Sequence, residues 1–185
     1  MADYFTEILP REREAAKKKY YADTSKKLRE LEGFIPKTKI PTPGDRPTIG
    51  HGHTGAAARP GATMTRPQAQ QQLLSDMRVR LPEIIRLTPR FLDLDDETQK
   101  AISTAHFRGT WGGSPETRRL FNEGKFSEAA TEFLNHDEYR DAVALGRSGI
   151  RPRMEYVANA LRNARYRKPV DEPAGMVYPP SRHRR

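Results

Sequence analysis

The chain has 185 residues, of which 35% are hydrophobic and 31% are charged, and its formal net charge at pH 7 is +9. This length suits one compact domain with extensions, and the composition predicts a core beneath an unusually polar surface. The sequence contains no cysteine, which excludes disulfide bonds, thiolate metal sites and a cysteine nucleophile. The chemistry must therefore come from carboxylates, hydroxyls or histidines.

The termini and the charge distribution bear on localisation and partners. No segment approaches the roughly 18 apolar residues of a membrane helix, and the first residues lack the pattern of a signal peptide. We therefore expect no signal peptide and no membrane partner. Nearly half of the positive excess lies in residues 165–185, a basic, Pro-rich tail. The charge suits an anionic partner, but nothing resembles a nucleic-acid recognition helix, so we expect no nucleic acid.

The first 33 residues predict two helices. The first covers Pro10 to Tyr21, with a proline at the entry, acids early and lysines late. The second begins after Thr24 or Ser25 as the cap and stops at Gly33. Glu32 therefore lies at a helix C-terminus, where the helix dipole disfavours negative charge. This location suits a general acid, which must carry a proton.

A β-hairpin is predicted in residues 35–55, IPKTKIPTPGDRPTIGHGHTG. This segment is dense in proline, glycine and β-branched residues, and PTPGDRP indicates a tight turn between two short extended pieces. We interpret the segment as a small hairpin lobe.

The remainder of the chain is predicted to be helical. TRPQ has the form of a capping box at Thr65, and the helix that follows is expected to end before Pro82. Apolar residues at helical spacing predict five more helical segments: LPEIIRL, DDETQKAISTAHF, SPETRRLF with Ser114 as cap, FSEAATEFL and IRPRMEYVANALRNA. Because the connections are short, these helices should form a compact lobe.

Three features converge within residues 32–53: the helix-terminal pair Glu32-Gly33, the hairpin turn and the string TIGHGHTG. Together they resemble the T-even and lambdoid phage lysozymes, the glycoside hydrolase family 24-like endolysins. In that family an acidic Glu precedes Gly at a helix end, and a hairpin leads to a T-[IV]-G-x-G-H segment. The segment MTRPQAQQQLLSDM resembles the helix between the two lobes of the family, and the order of the later helices also fits.

The resemblance implies an α+β, mostly α, lysozyme-like fold, with a small N-terminal β-hairpin lobe and a larger C-terminal helical lobe. We accordingly divide the chain into an N-terminal helical extension (1–23), a lysozyme-like domain (24–165) and a basic Pro-rich tail (166–185). Within the domain, residues 24–80 would form the hairpin lobe and interlobe helix, and residues 81–165 the helical lobe.

The resemblance also implies roles for individual residues. Glu32 corresponds to the general acid, which protonates the glycosidic oxygen as the bond to the sugar breaks. Thr48 corresponds to a threonine that holds the attacking water on the opposite face of the sugar. His53 and Asp76 correspond to a structural pair, and we expect them to form an ion pair that joins the hairpin lobe to the interlobe helix.

The chain departs from the family pattern at the second carboxylate. The family has an Asp at a position that corresponds to Pro41 when counted from the acid, or to Thr42 when counted from the threonine. Asp45 is the nearest acid, and it lies in a Pro-Gly-Asp turn where an Asx turn is the ordinary explanation.

Three mechanisms therefore stay open. Asp45 can act as the base, or Thr48 and Thr42 can position water around a single acid. In the third, a hydroxyl of the muramic acid itself attacks, as in the lytic transglycosylases among phage endolysins of similar fold. The absent Asp favours chemistry with one carboxylate.

Other candidate substrate contacts are less specific. His51 either faces the cleft, where it would contact sugar or peptide, or is a solvent-facing strand residue. The segment AHFRGTW resembles the lining of the family's cleft, and Arg108 within it suits a peptide-stem carboxylate, whereas its aromatic residues also suit the core. Arg151 and Arg153 begin a late helix where substrate contact and lobe packing are both open.

The resulting prediction is a peptidoglycan-degrading phage lysozyme, a glycosidase that cleaves the MurNAc-GlcNAc β-1,4 bond. We expect no cofactor and no metal, because His51 and His53 have no further ligand at suitable spacing. The expected partners are peptidoglycan and, through the terminal arms, other virion proteins. The expected location is the virion, or the host cytoplasm before release to the cell wall. The alternative is a catalytically weakened lysozyme-like domain with a structural or targeting role in the particle.

Overall fold

The computed structural model describes residues 10–41, 44–144, 146 and 149–167. In this part of the chain, one long helix precedes a two-stranded antiparallel sheet, and seven more α-helices follow it. The elements are α1 (Pro10–Glu32), β1 (Ile35–Lys39), β2 (Thr48–Gly50), α2 (Arg66–Leu87), α3 (Asp96–Phe107), α4 (Thr110–Gly113), α5 (Pro115–Asn122), α6 (Phe126–Leu134), α7 (Asp137–Asp141) and α8 (Ile150–Arg162). The predicted α+β, mostly α, fold class is therefore confirmed.

The prediction of two helices before Gly33 was wrong, because α1 is continuous from Pro10 to Glu32. Thr24 does not cap a second helix. It is fully buried, and it lies four residues from Tyr20 and four from Leu28, which are also buried. Residues at this spacing share one helix face, so burial of this face holds Thr24 inside the helix.

The end of α1 agrees with the sequence signal. The described part of the helix runs from Pro10 to Glu32, and the backbone reverses at Gly33, which has a φ of +68°. Only glycine adopts this left-handed conformation readily, so Gly33 ends the helix directly after Glu32.

The hairpin lobe contains the predicted antiparallel strands. Ile35 lies opposite Gly50 and Lys39 lies opposite Thr48, with a bulge between them in β1. Residues 62–64 run along the other edge of β1, where the Thr38 amide donates to the Ala62 carbonyl at 3.0 Å. The lobe is thus β1 with β2 on one side and residues 62–64 on the other.

Helix α2 connects the hairpin lobe to the helical lobe, and it does not end before Pro82 as predicted. It continues to Leu87. Proline removes one backbone hydrogen bond from a helix. Leu81 and Ile84, on either side of Pro82, are both buried, so packing of this face maintains the helix through the proline.

The capping box at the start of α2 is present as predicted. The Gln68 amide donates to the Thr65 hydroxyl at 3.4 Å, and the Thr65 amide donates to the Gln68 side-chain oxygen at 2.8 Å. We expect Thr65→Ala to lower the free energy of unfolding by about 1 kcal/mol, because the Gln68 amide loses the hydroxyl that accepts its hydrogen bond. Urea unfolding measures the effect, and Thr65→Ser should restore most of it. Equal losses in both variants would contradict the capping role.

The core of the helical lobe is built from the inner faces of its helices. Trp111 is fully buried, and its indole Nε1 donates to the Thr88 hydroxyl at 3.1 Å. Its ring also meets Phe121 edge to face at 5.7 Å. Ser114 precedes α5 as predicted, but its hydroxyl donates to the Thr110 carbonyl instead of capping the helix.

Helix α1 packs against this core well before residue 24. The Tyr20 hydroxyl hydrogen-bonds to the Ser103 hydroxyl at 2.9 Å inside the protein, and burial raises the pKa of Tyr20 to about 12. Residues 165–167 dock along residues 93–95, with the Arg167 amide donating to the Asp93 carbonyl at 2.7 Å. The rest of the predicted tail lies outside the described residues, and the division into domains stays a prediction.

Candidate active site

Glu32 is the last residue of α1, and its side chain is 17% exposed. Its Oε2 accepts a hydrogen bond from the Nη1 of Arg153 at 3.4 Å. Its Oε1 is buried and has no hydrogen-bond partner among the described residues. One oxygen is therefore held by Arg153, while the other is a buried acceptor whose hydrogen-bonding capacity is not used by the described residues.

Arg153 lies in the first turn of α8 and contacts the end of α1 at two points. Besides Glu32, its guanidinium donates to the backbone carbonyl of Leu31. That carbonyl belongs to the last turn of α1, where the backbone carbonyl groups have no hydrogen-bond partner within the helix. The guanidinium group of Arg153 therefore both caps α1 and orients the Glu32 carboxylate.

Gly52 brings the loop after β2 close to Glu32. Its φ is +89°, and a Cβ at this position would lie 3.7 Å from the Glu32 Cγ and 3.6 Å from the Phe107 Cε1. The acid and the Phe107 ring therefore flank the same backbone position. Arg80 of α2 lies 4.4 Å over that ring and donates to the Phe107 carbonyl at 3.4 Å.

Thr48 begins β2 and is buried. Its hydroxyl donates to the Arg46 carbonyl at 3.0 Å, across the end of the hairpin turn. This bond uses the hydroxyl proton and leaves the oxygen as an acceptor, so Thr48 retains a means of holding a water molecule.

The hairpin turn contains the candidates for the second catalytic group. Asp45 is exposed and has no hydrogen bond or ion pair with any residue in the described ranges. Pro41, one position that corresponds to the family's Asp, is an exposed bend residue, whereas Thr42 lies outside the described residues. The catalytic role of Asp45 and the substrate contact of Thr42 stay predictions.

Two histidines follow β2, and both are anchored. His51 is 5% exposed, and its Nδ1 pairs with the Gly33 carbonyl just beyond Glu32. The alternative of a solvent-facing His51 was therefore wrong. His53 pairs with Asp76 of α2 at 2.9 Å, which confirms the predicted link between the hairpin lobe and the interlobe helix.

A comparison with protein families identifies this arrangement. The family described as phage lysozyme matches residues 29–153 of the chain. The chain belongs to the phage lysozyme family. Peptidoglycan degradation by a phage enzyme is the general activity that this membership indicates. The matched range runs from the last turn of α1 to Arg153, so it includes both members of the Glu32–Arg153 ion pair. A comparison with curated proteins finds no match.

The residues of the segment AHFRGTW, which resembles the cleft lining of phage lysozymes, have different surroundings in the structure. Trp111 belongs to the core, and Phe107 packs against Gly52, which Glu32 also approaches. Arg108 forms an ion pair with Glu138 at 2.8 Å, and both side chains are about one-quarter exposed. A peptide carboxylate would have to share or displace Glu138. The predicted substrate contact of Arg108 stays a prediction.

Sequence reasoning missed Arg80, Glu138 and the Gly33 carbonyl as partners of site residues. Arg80 precedes its partner Phe107 by 27 residues, and Glu138 follows Arg108 by 30. No local pattern connects side chains at such separations, and only the packing of α2 and α7 against the end of α3 brings them together. An exposed Arg on a helix carries no signal of its own.

His106 adds a pH dependence to this region. It is buried between α2 and α3, with its Nε2 3.3 Å from the Glu83 carboxylate. Burial lowers its pKa from the ordinary 6.5, assisted by Arg80 and Arg118 and opposed by Glu83. In acid the unfolded chain therefore takes up this proton more readily than the folded protein.

We expect the contribution of His106 to stability to be fully present above pH 6.5 and lost progressively below it. The free energy of unfolding, measured by urea unfolding between pH 7.5 and 5, should fall more steeply in the wild type than in His106→Gln. Parallel curves would show that His106 does not titrate during unfolding in this range.

In the described part of the chain, no helix is long and apolar enough to cross a membrane. No group of three or more His, Asp or Glu side chains among the described residues is arranged to hold a metal ion.

Proposed function

We propose that the chain cleaves the MurNAc-GlcNAc β-1,4 glycosidic bond of peptidoglycan with Glu32 as the general acid. The observation that carries this proposal is the state of the Glu32 carboxyl group. One oxygen is bound by Arg153, and the other is buried without a partner among the described residues. The unpartnered oxygen is the one free to carry a proton, and a rotation of the carboxyl group would present that proton to a glycosidic oxygen.

We further propose that Glu32 works without a second carboxylate. In the transglycosylase form, the bond between the anomeric carbon and the glycosidic oxygen breaks as that oxygen takes the proton from Glu32. The muramic acid's own hydroxyl oxygen bonds to the anomeric carbon and returns its proton to Glu32, which closes the cycle. The support is the exposed Asp45, which has no contact with a described residue that would orient it.

Two hydrolytic routes are the alternatives. In one, Asp45 removes a proton from water as an inverting base, which requires carboxyl groups roughly 6.5–9.5 Å apart. In the other, Thr48 holds the water, either with Thr42 or alone, and Glu32 is the only carboxyl group. The acceptor capacity that the Thr48 hydroxyl retains supports the second route.

The products distinguish these routes. Purified peptidoglycan is digested with the wild type, and the new glycan ends are analysed by mass spectrometry. Anhydro-muramic ends, which are one water lighter than reducing ends, indicate transglycosylation, and reducing ends indicate hydrolysis. If reducing ends form, Asp45→Asn tests the base, because a large loss of rate assigns that role to Asp45. If the wild type forms no new ends, the catalytically weakened, structural alternative is favoured.

We propose that the enzyme is associated with the virion, where its terminal arms contact other particle proteins. The support is the charge and proline content of residues 166–185, since basic Pro-rich segments often order only on a partner. Co-sedimentation with intact particles should be lost when residues 166–185 are removed. Equal co-sedimentation of the full and truncated chains would contradict this arrangement.

A further inference from the structure

The hairpin lobe carries a polar groove outside the site at Glu32. The groove lies between residues 56–64 and the first three turns of α2, and its volume is about 570 Å³. One wall is a row of polar side chains on one face of α2, and the other wall contains small side chains and one guanidinium. Among the residues that line it are Arg59, Ala62, Thr63, Gln68, Gln71 and Gln72.

The glutamines of the groove offer both donors and acceptors. Gln68 uses its amide oxygen in the capping box with Thr65, which leaves its NH₂ group. Gln72 uses its NH₂ group on Asp76, which leaves its oxygen. Gln71 makes no side-chain hydrogen bond with a described residue and is exposed. A row of this kind is complementary to the alternating N–H and C=O groups of an extended peptide.

The charges of the lobe favour an anionic ligand. Residues 33–66 contain five cations and a single acid, Asp45. None of these cations forms an ion pair with a described acid, whereas most Lys and Arg residues of the helical lobe do. The cations are Lys37, Lys39, Arg46, Arg59 and Arg66.

One of these cations lies at the groove itself, and a second belongs to the strand that pairs with its edge. Arg59 lines it, and Lys37 pairs through its backbone with Thr63, which also lines it. No acid is among the lining residues in the described part of the chain. A carboxylate that enters the groove therefore meets positive charge without a competing protein carboxylate.

We propose that this groove binds the carboxylate-bearing peptide stems of the cell-wall polymer. Arg59 pairs with a stem carboxylate, the three glutamines hydrogen-bond the peptide amides, and the alanine wall accepts small side chains. Residues 62–64 pair with β1 on the side opposite to β2, about 10 Å from β2, so the groove belongs to the same small lobe as the loop that packs against Glu32. This inference rests on the proposed function, because it takes peptidoglycan as the substrate.

The test is direct binding, which needs no turnover. An N-acetylated stem tetrapeptide with free carboxylates is titrated into the ¹⁵N-labelled full chain carrying Glu32→Gln, and NMR shifts are followed. We expect saturable shifts of the side-chain amides of Gln68, Gln71 and Gln72. Adding Arg59→Gln should weaken binding about tenfold, the effect expected for losing a charge-assisted hydrogen bond.

Two controls make the result decisive. Arg162→Gln removes an exposed arginine at the end of α8, far along the chain from the groove, and it should leave the affinity unchanged. Gln71→Ala should weaken binding without affecting the fold, since Gln71 has no partner among the described residues. Shifts confined to Gly52 and Phe107, no saturable shift, or equal effects of Arg59→Gln and Arg162→Gln would overturn the proposal.

The outcome is separable from the proposed glycosidase activity. Binding of the tetrapeptide by a chain whose wild type forms no new glycan ends would retain the groove and reject the enzyme. Glycan cleavage by a chain that does not bind the tetrapeptide would retain the enzyme and reject the groove.

Discussion

Glu32→Gln is expected to reduce peptidoglycan cleavage by about 10²–10⁴-fold, which is the usual contribution of a general acid. Glutamine keeps the size of the side chain, and its oxygen can still accept the hydrogen bond from Arg153. The substitution therefore removes the transferable proton and little else. The measurement is the rate at which new glycan ends form from purified peptidoglycan.

Two observations keep this result interpretable. The urea midpoint of Glu32→Gln should stay close to that of the wild type, because the contacts at the end of α1 persist. Glu30→Gln is the matched control, since Glu30 lies in the same turn but pairs with Lys27 at the surface at 3.8 Å. Comparable rates for Glu32→Gln and the wild type would remove Glu32 from the mechanism.

Arg153→Met is expected to affect both stability and rate. It leaves the largely buried Glu32 carboxylate and the Leu31 carbonyl without their donor. Each unpartnered buried polar group costs about 1–3 kcal/mol, and two groups lose their donor, so the free energy of unfolding should fall by at least about 2 kcal/mol. We expect kcat to fall about tenfold or more, because the carboxyl group is no longer oriented, and KM to change little.

Arg151→Met provides the comparison within the same helical turn. The Arg151 guanidinium donates to the Tyr139 hydroxyl at 3.0 Å and lies over its ring, and it makes no hydrogen bond to Glu32. Its loss should leave kcat close to the wild-type value. Arg153→Lys should recover part of the rate, since one ammonium can serve one of the two acceptors. Equal effects of Arg151→Met and Arg153→Met on kcat would contradict a positioning role for Arg153.

Features that depend on near neighbours in the chain were predictable. The capping box at Thr65, the helix stop at Gly33 and the hairpin turn each involve residues within a few positions of one another. The location of Glu32 at a helix end follows from the same local rules. The pair formed by His53 and Asp76 was predictable only through the resemblance, because these residues lie 23 positions apart.

Errors arose where burial outweighed a local signal. Thr24 has a good capping side chain, yet it is held in mid-helix by the face that also contains Tyr20 and Leu28. Pro82 is a strong helix-breaking signal, yet α2 continues through it because the buried face of the helix extends to both sides of the proline. A local signal is worth about 1–3 kcal/mol, and the burial of several side chains on one helix face exceeds it.

The sequence by itself determined the helix end at Glu32, the hairpin that follows it and the family to which these features belong. These patterns depend on residues that are close together in the sequence. Only the tertiary structure decided what surrounds the acid. Arg153 lies 121 residues from Glu32 in the sequence. Phe107 packs against Gly52, and His51 pairs with the Gly33 carbonyl, so residues of other elements also lie around the end of α1. Contacts of this kind depend on how helices and strands pack, and hydrophobic burial determines that packing for the whole chain at once.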